Sequence, residues 1–98
     1  MYVVVRRYTG ASQLLDKLEA DRSDIERLLR DVRGFLAYYL IRSGDGGISV
    51  TVCEDRVGAE ESNLLAADWI TDNAPTLPGN APVVMEGEAA IHFASQGR

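Results

Sequence analysis

The chain has 98 residues, 15 acidic and 10 basic, for a formal net charge of −5, and its 10.7 kDa and pI near 4.7 describe one small acidic domain. A hydrophobic content of 46% excludes intrinsic disorder, the acidity disfavours binding to a phosphate backbone, and a single cysteine excludes an internally disulfide-stapled scaffold. The longest strongly apolar run, 35–41, is far short of the roughly 20 residues a bilayer demands, so no membrane association is expected.

At the start of the chain the charges of Arg6 and Arg7 follow a very short apolar run, which is not the order of a signal peptide; the expected compartment is the cytoplasm. Residues 2–8, dominated by Tyr and Val, read as a strand, broken by Thr9-Gly10-Ala11. Ser12 is a candidate N-cap. Leu14, Leu18, Ile25, Leu28, Leu29 and Val32 recur at helical spacing, with a polar gap at Asp21-Arg22-Ser23. Ser23-Asp24-Ile25-Glu26 fits a capping box, so the region divides into two helical pieces, about 12–20 and 23–32. Arg27, Arg30 and Arg33 stand toward its end, where cations favour the helix dipole, and Gly34 is the expected stop. Residues 35–43 form the second strand, Gly44-Asp45-Gly46-Gly47 a turn, and 48–54 the third strand, making a hairpin. Asp55 is a second N-cap candidate. The second helix opens at Gly58 or Ala59 and runs to about Asn73, ended by Pro75 and Pro78. The last strand is expected from 83 to about 92. Residues 1–93 form a single domain in this reading, with a frayed tail over 94–98.

A βαββαβ order with a central antiparallel hairpin is the ferredoxin-like α+β motif, a four-stranded antiparallel sheet with its helices on one face. Alternation along these strands makes both faces of the sheet apolar. Leu36, Tyr38 and Leu40 oppose Ala37, Tyr39 and Ile41; Tyr2 and Val4 oppose Val3 and Val5; Val83 and Met85 oppose Val84. The helices cover one face only. The other is a large apolar patch, and packing the sheets of two copies face to face in a homodimer would bury it. The alternative is a monomer whose second face is merely somewhat apolar. Residues 1–44 carry eight basic and six acidic side chains, and residues 45–98 two basic and nine acidic. That asymmetry either orients two chains or serves solubility alone.

Gly34-Phe35-Leu36-Ala37-Tyr38-Tyr39, Gly44-Asp45-Gly46, Glu54-Asp55-Arg56, Ala59-Glu60-Glu61-Ser62-Asn63 and Ala66-Ala67-Asp68-Trp69-Ile70 resemble small bacterial proteins of the dimeric α+β barrel superfamily, which includes the antibiotic-biosynthesis-monooxygenase-like proteins. The resemblance covers about residues 2–90. It implies a dimer whose two sheets form a barrel, and a small-molecule cavity between sheet and helices in each subunit. The superfamily holds cofactor-independent monooxygenases, haem-degrading enzymes, isomerases, dehydratases and members without known activity, so the fold does not carry one function. The haem-degrading branch uses a helix histidine as iron ligand; here His92 is the one histidine, near the end of the last strand, and no cofactor is expected.

On the second helix Ala59, Ser62, Asn63, Ala66, Trp69, Ile70 and Asn73 fall on one arc, with Glu60, Glu61, Asp68, Thr71 and Asp72 mostly opposite. Ser62 and Asn63 thus project toward the sheet where a purely structural helix would carry Leu or Val. Either they and Trp69 floor a ligand pocket, or Ser62 and Asn63 bridge neighbouring backbone and Trp69 fills the core. Tyr38 and Tyr39 point to opposite faces, so at most one enters an internal pocket. The candidate ligand-binding residues are Asn63, Trp69, Tyr38, Tyr39 and Ser62. Ser49, Thr51 and Cys53 share one face of the third strand, and Cys53 has no basic neighbour in sequence to activate it. No other His or Cys stands at metal-ligand spacing around His92, so no metal site is expected. Arg6, Arg7 and Arg42 could hold an anion, with ion pairing as the alternative. No nucleotide-phosphate motif, nucleophile elbow or RNA-stacking sheet is present. Two functions follow: a cofactor-independent monooxygenase-like enzyme acting on an aromatic or polyketide-type molecule, in which Asn63 and a tyrosine stabilise a substrate phenolate that reacts with oxygen, or a non-catalytic dimeric ligand-binding or accessory protein.

Overall fold

The computed structural model describes residues 1–96. Seven elements follow in order: β1 (Tyr2–Tyr8), α1 (Ser12–Ala20), α2 (Arg22–Arg30), β2 (Phe35–Ser43), β3 (Gly46–Cys53), α3 (Arg56–Asn73) and β4 (Val83–Glu88). The strands form one antiparallel sheet in the order β2-β3-β1-β4, the ferredoxin-like arrangement. The expected tail over 94–98 falls partly on residues 97 and 98, which lie outside the described residues; 89–96 carry no regular secondary structure.

The helical region breaks at Asp21, whose side chain pairs with Lys17 at 2.8 Å. Local capping signals do not set the two starts. Ser12 is the first helical residue and the N-cap is Ala11, without a side-chain cap. Ala11 is wholly buried and its N–H donates to the Asp45 carbonyl at 2.9 Å, so a tertiary contact fixes where α1 begins. Ser23 lies inside α2, and Glu26, instead of completing a capping box, accepts from Arg30 Nε at 2.8 Å. After α2, Val32 turns into the core and Gly34 takes φ +81°, a conformation that favours glycine. The last strand stops at Glu88, short of the expected 92, because β4 pairs only with β1. Glu88 already faces Tyr2, and Ala89 N–H reaches the Met1 carbonyl at 2.9 Å.

The core lies between helices and sheet: Tyr8, Ala11, Leu15, Leu18 and Trp69 in one cluster, and Tyr2, Val4, Cys53 and Ala59 in another. Among the described residues nothing covers the opposite face. Strand pairing places Val3 and Val5 of β1, Ile48, Val50 and Val52 of β3, Tyr39 and Ile41 of β2 and Val83 and Met85 of β4 there, and Met85 stays 76% and Ile41 50% exposed. Leu36 departs from the expected alternation with Tyr38 and Leu40. The register shifts between Phe35 and Ala37, which leaves Leu36 without a partner on β3 and exposed, as at a β-bulge.

Candidate functional site

β3 alternates small polar and bulky apolar residues, and it turns the small polar ones toward the helices. Register then assembles two rows beneath α3: Arg6, Ser49 and Leu40 side by side, and Val4, Thr51 and Tyr38 side by side. Above them α3 contributes Ser62, Ala66, Trp69 and Ile70. The space between is a cavity of about 30 Å³, bordered by Arg6, Tyr8, Tyr38, Ser49, Thr51 and Ser62 together with Trp69 and apolar residues of α1 and α2. That volume holds about two waters, not a ring. Ser49, Thr51 and Ser62 are each 2% exposed, a polar lining where a packed core would be aliphatic.

Of the residues expected to bind a ligand, Tyr38, Ser62 and Trp69 come together on this cavity. Burial pushes the Tyr38 phenol up to about 12, so it is a hydrogen-bond donor throughout the physiological range and not a base. Ser62 Oγ donates to the Ala59 carbonyl at 2.7 Å, a bridge to neighbouring backbone. Asn63 stands one step round α3, outside the cavity lining; its carboxamide oxygen is buried without a hydrogen-bond partner. Tyr39 is outside this cavity, opposite Val50 on the uncovered sheet face, and it borders with Tyr38 a separate groove along β2. Burial also pushes the Cys53 thiol up, which suppresses the reactive thiolate. His92 lies in the exposed segment 89–96. Among the described residues no three His, Cys, Asp or Glu side chains are grouped to hold a metal, and no helix is long and apolar enough to cross a membrane.

Larger spaces lie one layer out. A groove of about 450 Å³ runs between α3, β1 and the proline-rich connection 74–82, and Arg6, Tyr8, Ala66 and Ile70 border both it and the inner cavity. Its outer wall is apolar, built from Ala67, Leu77, Pro75, Pro78 and Pro82. A second groove, about 650 Å³, follows β2 on the other side and is rimmed by Glu19, Arg22, Glu26 and Arg30. Ion pairing, expected for the strand arginines, holds for Arg42, which meets Asp16 at 2.6 Å and Glu19 at 2.5 Å. Among the described residues Arg6 meets no carboxylate. Tyr8, Ser49 and Thr51 were not anticipated as site residues. The signal was the split of β3 into a Gly-Ser-Thr-Cys face and an Ile-Val-Val face, because small side chains beneath a helix leave space.

Solved structures share this fold over almost the whole chain. MhuD, a heme-degrader from Mycobacterium tuberculosis solved with two hemes in its active site, is 15% identical with a TM-score of 0.69, covering 96% of this chain and 100% of that one. A monooxygenase from the gene ActVA-Orf6 of Streptomyces coelicolor, in complex with Nanaomycin D, is 16% identical with a TM-score of 0.70, covering 97% and 92%. A dimeric ferredoxin-like protein from an uncultured marine organism is 8% identical with a TM-score of 0.73, covering 96% and 97%. No protein-family model matches the sequence, and no curated protein matches it. These likenesses, all at 16% identity or below, show a shared fold, the ferredoxin-like α+β arrangement of one antiparallel sheet and its helices.

Proposed function

We propose that the protein is a cofactor-independent, monooxygenase-like enzyme whose substrate is an aromatic or polyketide-type small molecule seated in the groove beside α3. The observation that carries this reading is that a 450 Å³ apolar groove and a polar inner cavity share Arg6, Tyr8, Ala66 and Ile70 as their common wall. Groove volume falls in the range of small-molecule sites, about 300–1,000 Å³. The ring system rests on Ala66, Ala67 and Ile70, and its phenolic oxygen meets Tyr38, Arg6 and the hydroxyls of Ser49 and Thr51. Donors aimed at an oxyanion stabilise the carbanion-like form of the substrate, which reacts with dioxygen. A ring methylene becomes a carbonyl with one oxygen atom, and the second oxygen leaves as water with the two methylene protons. The fold shared with the Streptomyces coelicolor monooxygenase supports this reading. Heme, which MhuD binds, does not match these residues: neither histidine nor cysteine borders the inner cavity, which at about 30 Å³ is also too small.

The acting unit in this reading is a cytoplasmic homodimer closed through the uncovered sheet face. A dimeric neighbour of the same fold and the apolar side chains exposed there support it. The test is 1,8-dihydroxyanthrone under air, with quinone absorbance and oxygen uptake recorded together. The expected result is a saturable rate that depends on the protein and falls roughly 100-fold in Tyr38→Phe, the loss typical of one oxyanion donor. A rate equal to buffer would refute the enzymatic reading. One observation favours the second reading, a non-catalytic ligand-binding protein: no carboxylate, histidine or cysteine borders the inner cavity to act as general base. Binding in the groove without oxygen uptake would establish it.

A further inference from the structure

Among the described residues Arg6 is the only charged side chain that borders the groove or the inner cavity. It is half-buried on β1, held between Val84 and Ser49 in the sheet. The chain carries an excess of five negative charges, and Arg42 on the same side of the sheet takes two carboxylates. Yet no Asp or Glu among the described residues forms an ion pair with Arg6. A partly desolvated cation without a counter-ion is costly, and a guanidinium presents its donors in a fork that matches a carboxylate. Everything around it is apolar or neutral: Ala66, Ala67, Ile70, Leu77 and the prolines of 74–82.

We propose that Arg6 is a specificity-determining residue that selects anionic aromatic ligands, pairing with a carboxylate at the mouth of the inner cavity while the ring lies against Ala66, Ile70 and Leu77. This rests on the groove being the ligand site. The pairing supplies the missing counter-charge, and Arg6, as the one cation among the described residues of this groove, is the place in it where an anion is favoured. A neutral ring of the same size gains the apolar contact alone.

The test is a pair of probes with one ring and different charge, 2-naphthoate and 2-naphthamide, titrated into the full chain and followed by ¹H–¹⁵N NMR. Both are expected to shift the amides of Ala66, Ile70 and Gly79, with naphthoate binding about tenfold tighter or more, the size of a charge-assisted hydrogen bond. Arg6→Gln should abolish that preference and leave naphthamide within about twofold, since its apolar contacts are untouched. Arg6→Lys should restore part of it, having the charge without the fork. In the unaltered protein added salt should weaken naphthoate alone, a readout independent of any variant. Equal affinities for the two probes, or a preference that survives Arg6→Gln, would overturn the role of Arg6 while leaving the groove as the site. Absence of shifts in the groove with either probe would overturn both.

Discussion

Tyr38 owes its character to where the β-bulge and register of β2 put it. Its phenol is held up to about 12, first by burial and next by the neighbouring Tyr8, from an ordinary value of 10.0. Tyr2 is also raised, chiefly because its O–H donates to Glu86 at 3.0 Å. Alkaline titration followed by phenolate absorbance should therefore show a late component near 12 that Tyr38→Phe removes. The sign for stability follows. Below pH 10 folded and unfolded chains both hold the Tyr38 proton, and the residue adds no pH dependence. Between 10 and 12 the unfolded chain has released a proton that the folded one retains, so stability falls as pH rises. Urea midpoints should drop more steeply across that window in the unaltered protein than in Tyr38→Phe.

α3 is placed by its first turn. Asp55 is extended and its Oδ1 accepts from Gly58 N–H at 3.1 Å, satisfying one of the helix's free donors. Gly58 is there for closeness: a Cβ would sit 2.6 Å from the Arg33 carbonyl oxygen, so the helix could not approach the turn before β2. Asp55→Ala should cost about 1 kcal/mol and Gly58→Ala about 1–3 kcal/mol, both read from urea unfolding. The second change also displaces Ser62 and Trp69, one and three turns further along, and so bears on the cavity beneath them.

The molecule as a whole is a sheet dressed on one side. Tyr39, Ile41, Val83 and Met85 are 50–76% exposed on the other, and monomers rarely leave contiguous apolar patches beyond a few hundred Å². A stable pair of chains buries about 800 Å² on each, which a four-stranded face can supply. Light scattering on the eluting protein should give twice the 10.7 kDa protomer mass. Ile41→Glu, which would bury a charge in that contact, should return it to one protomer without unfolding it. A protomer mass for the unaltered chain would refute the dimer.

Periodicity along the chain was enough to place β1, both bounds of β2, the interruption of the first helical region at Asp21, the Asp55 cap and the inward arc of α3, because each depends on neighbours within a few residues. It was also enough to show apolar side chains on both sides of β1 and β2. It could not say that Ser12 would yield its capping place to a buried Ala11, that β4 would end where β1 runs out of partners, or that Leu36 would be squeezed out of register. Nor could it tell that Tyr38 and not Tyr39 faces the helices, that the space beside Trp69 is only about 30 Å³ with larger grooves one layer out, or that among the described residues Arg6 lacks the carboxylates Arg42 enjoys. Strand length, cavity volume and charge pairing are set by residues dozens of positions away, and only folding brings those together.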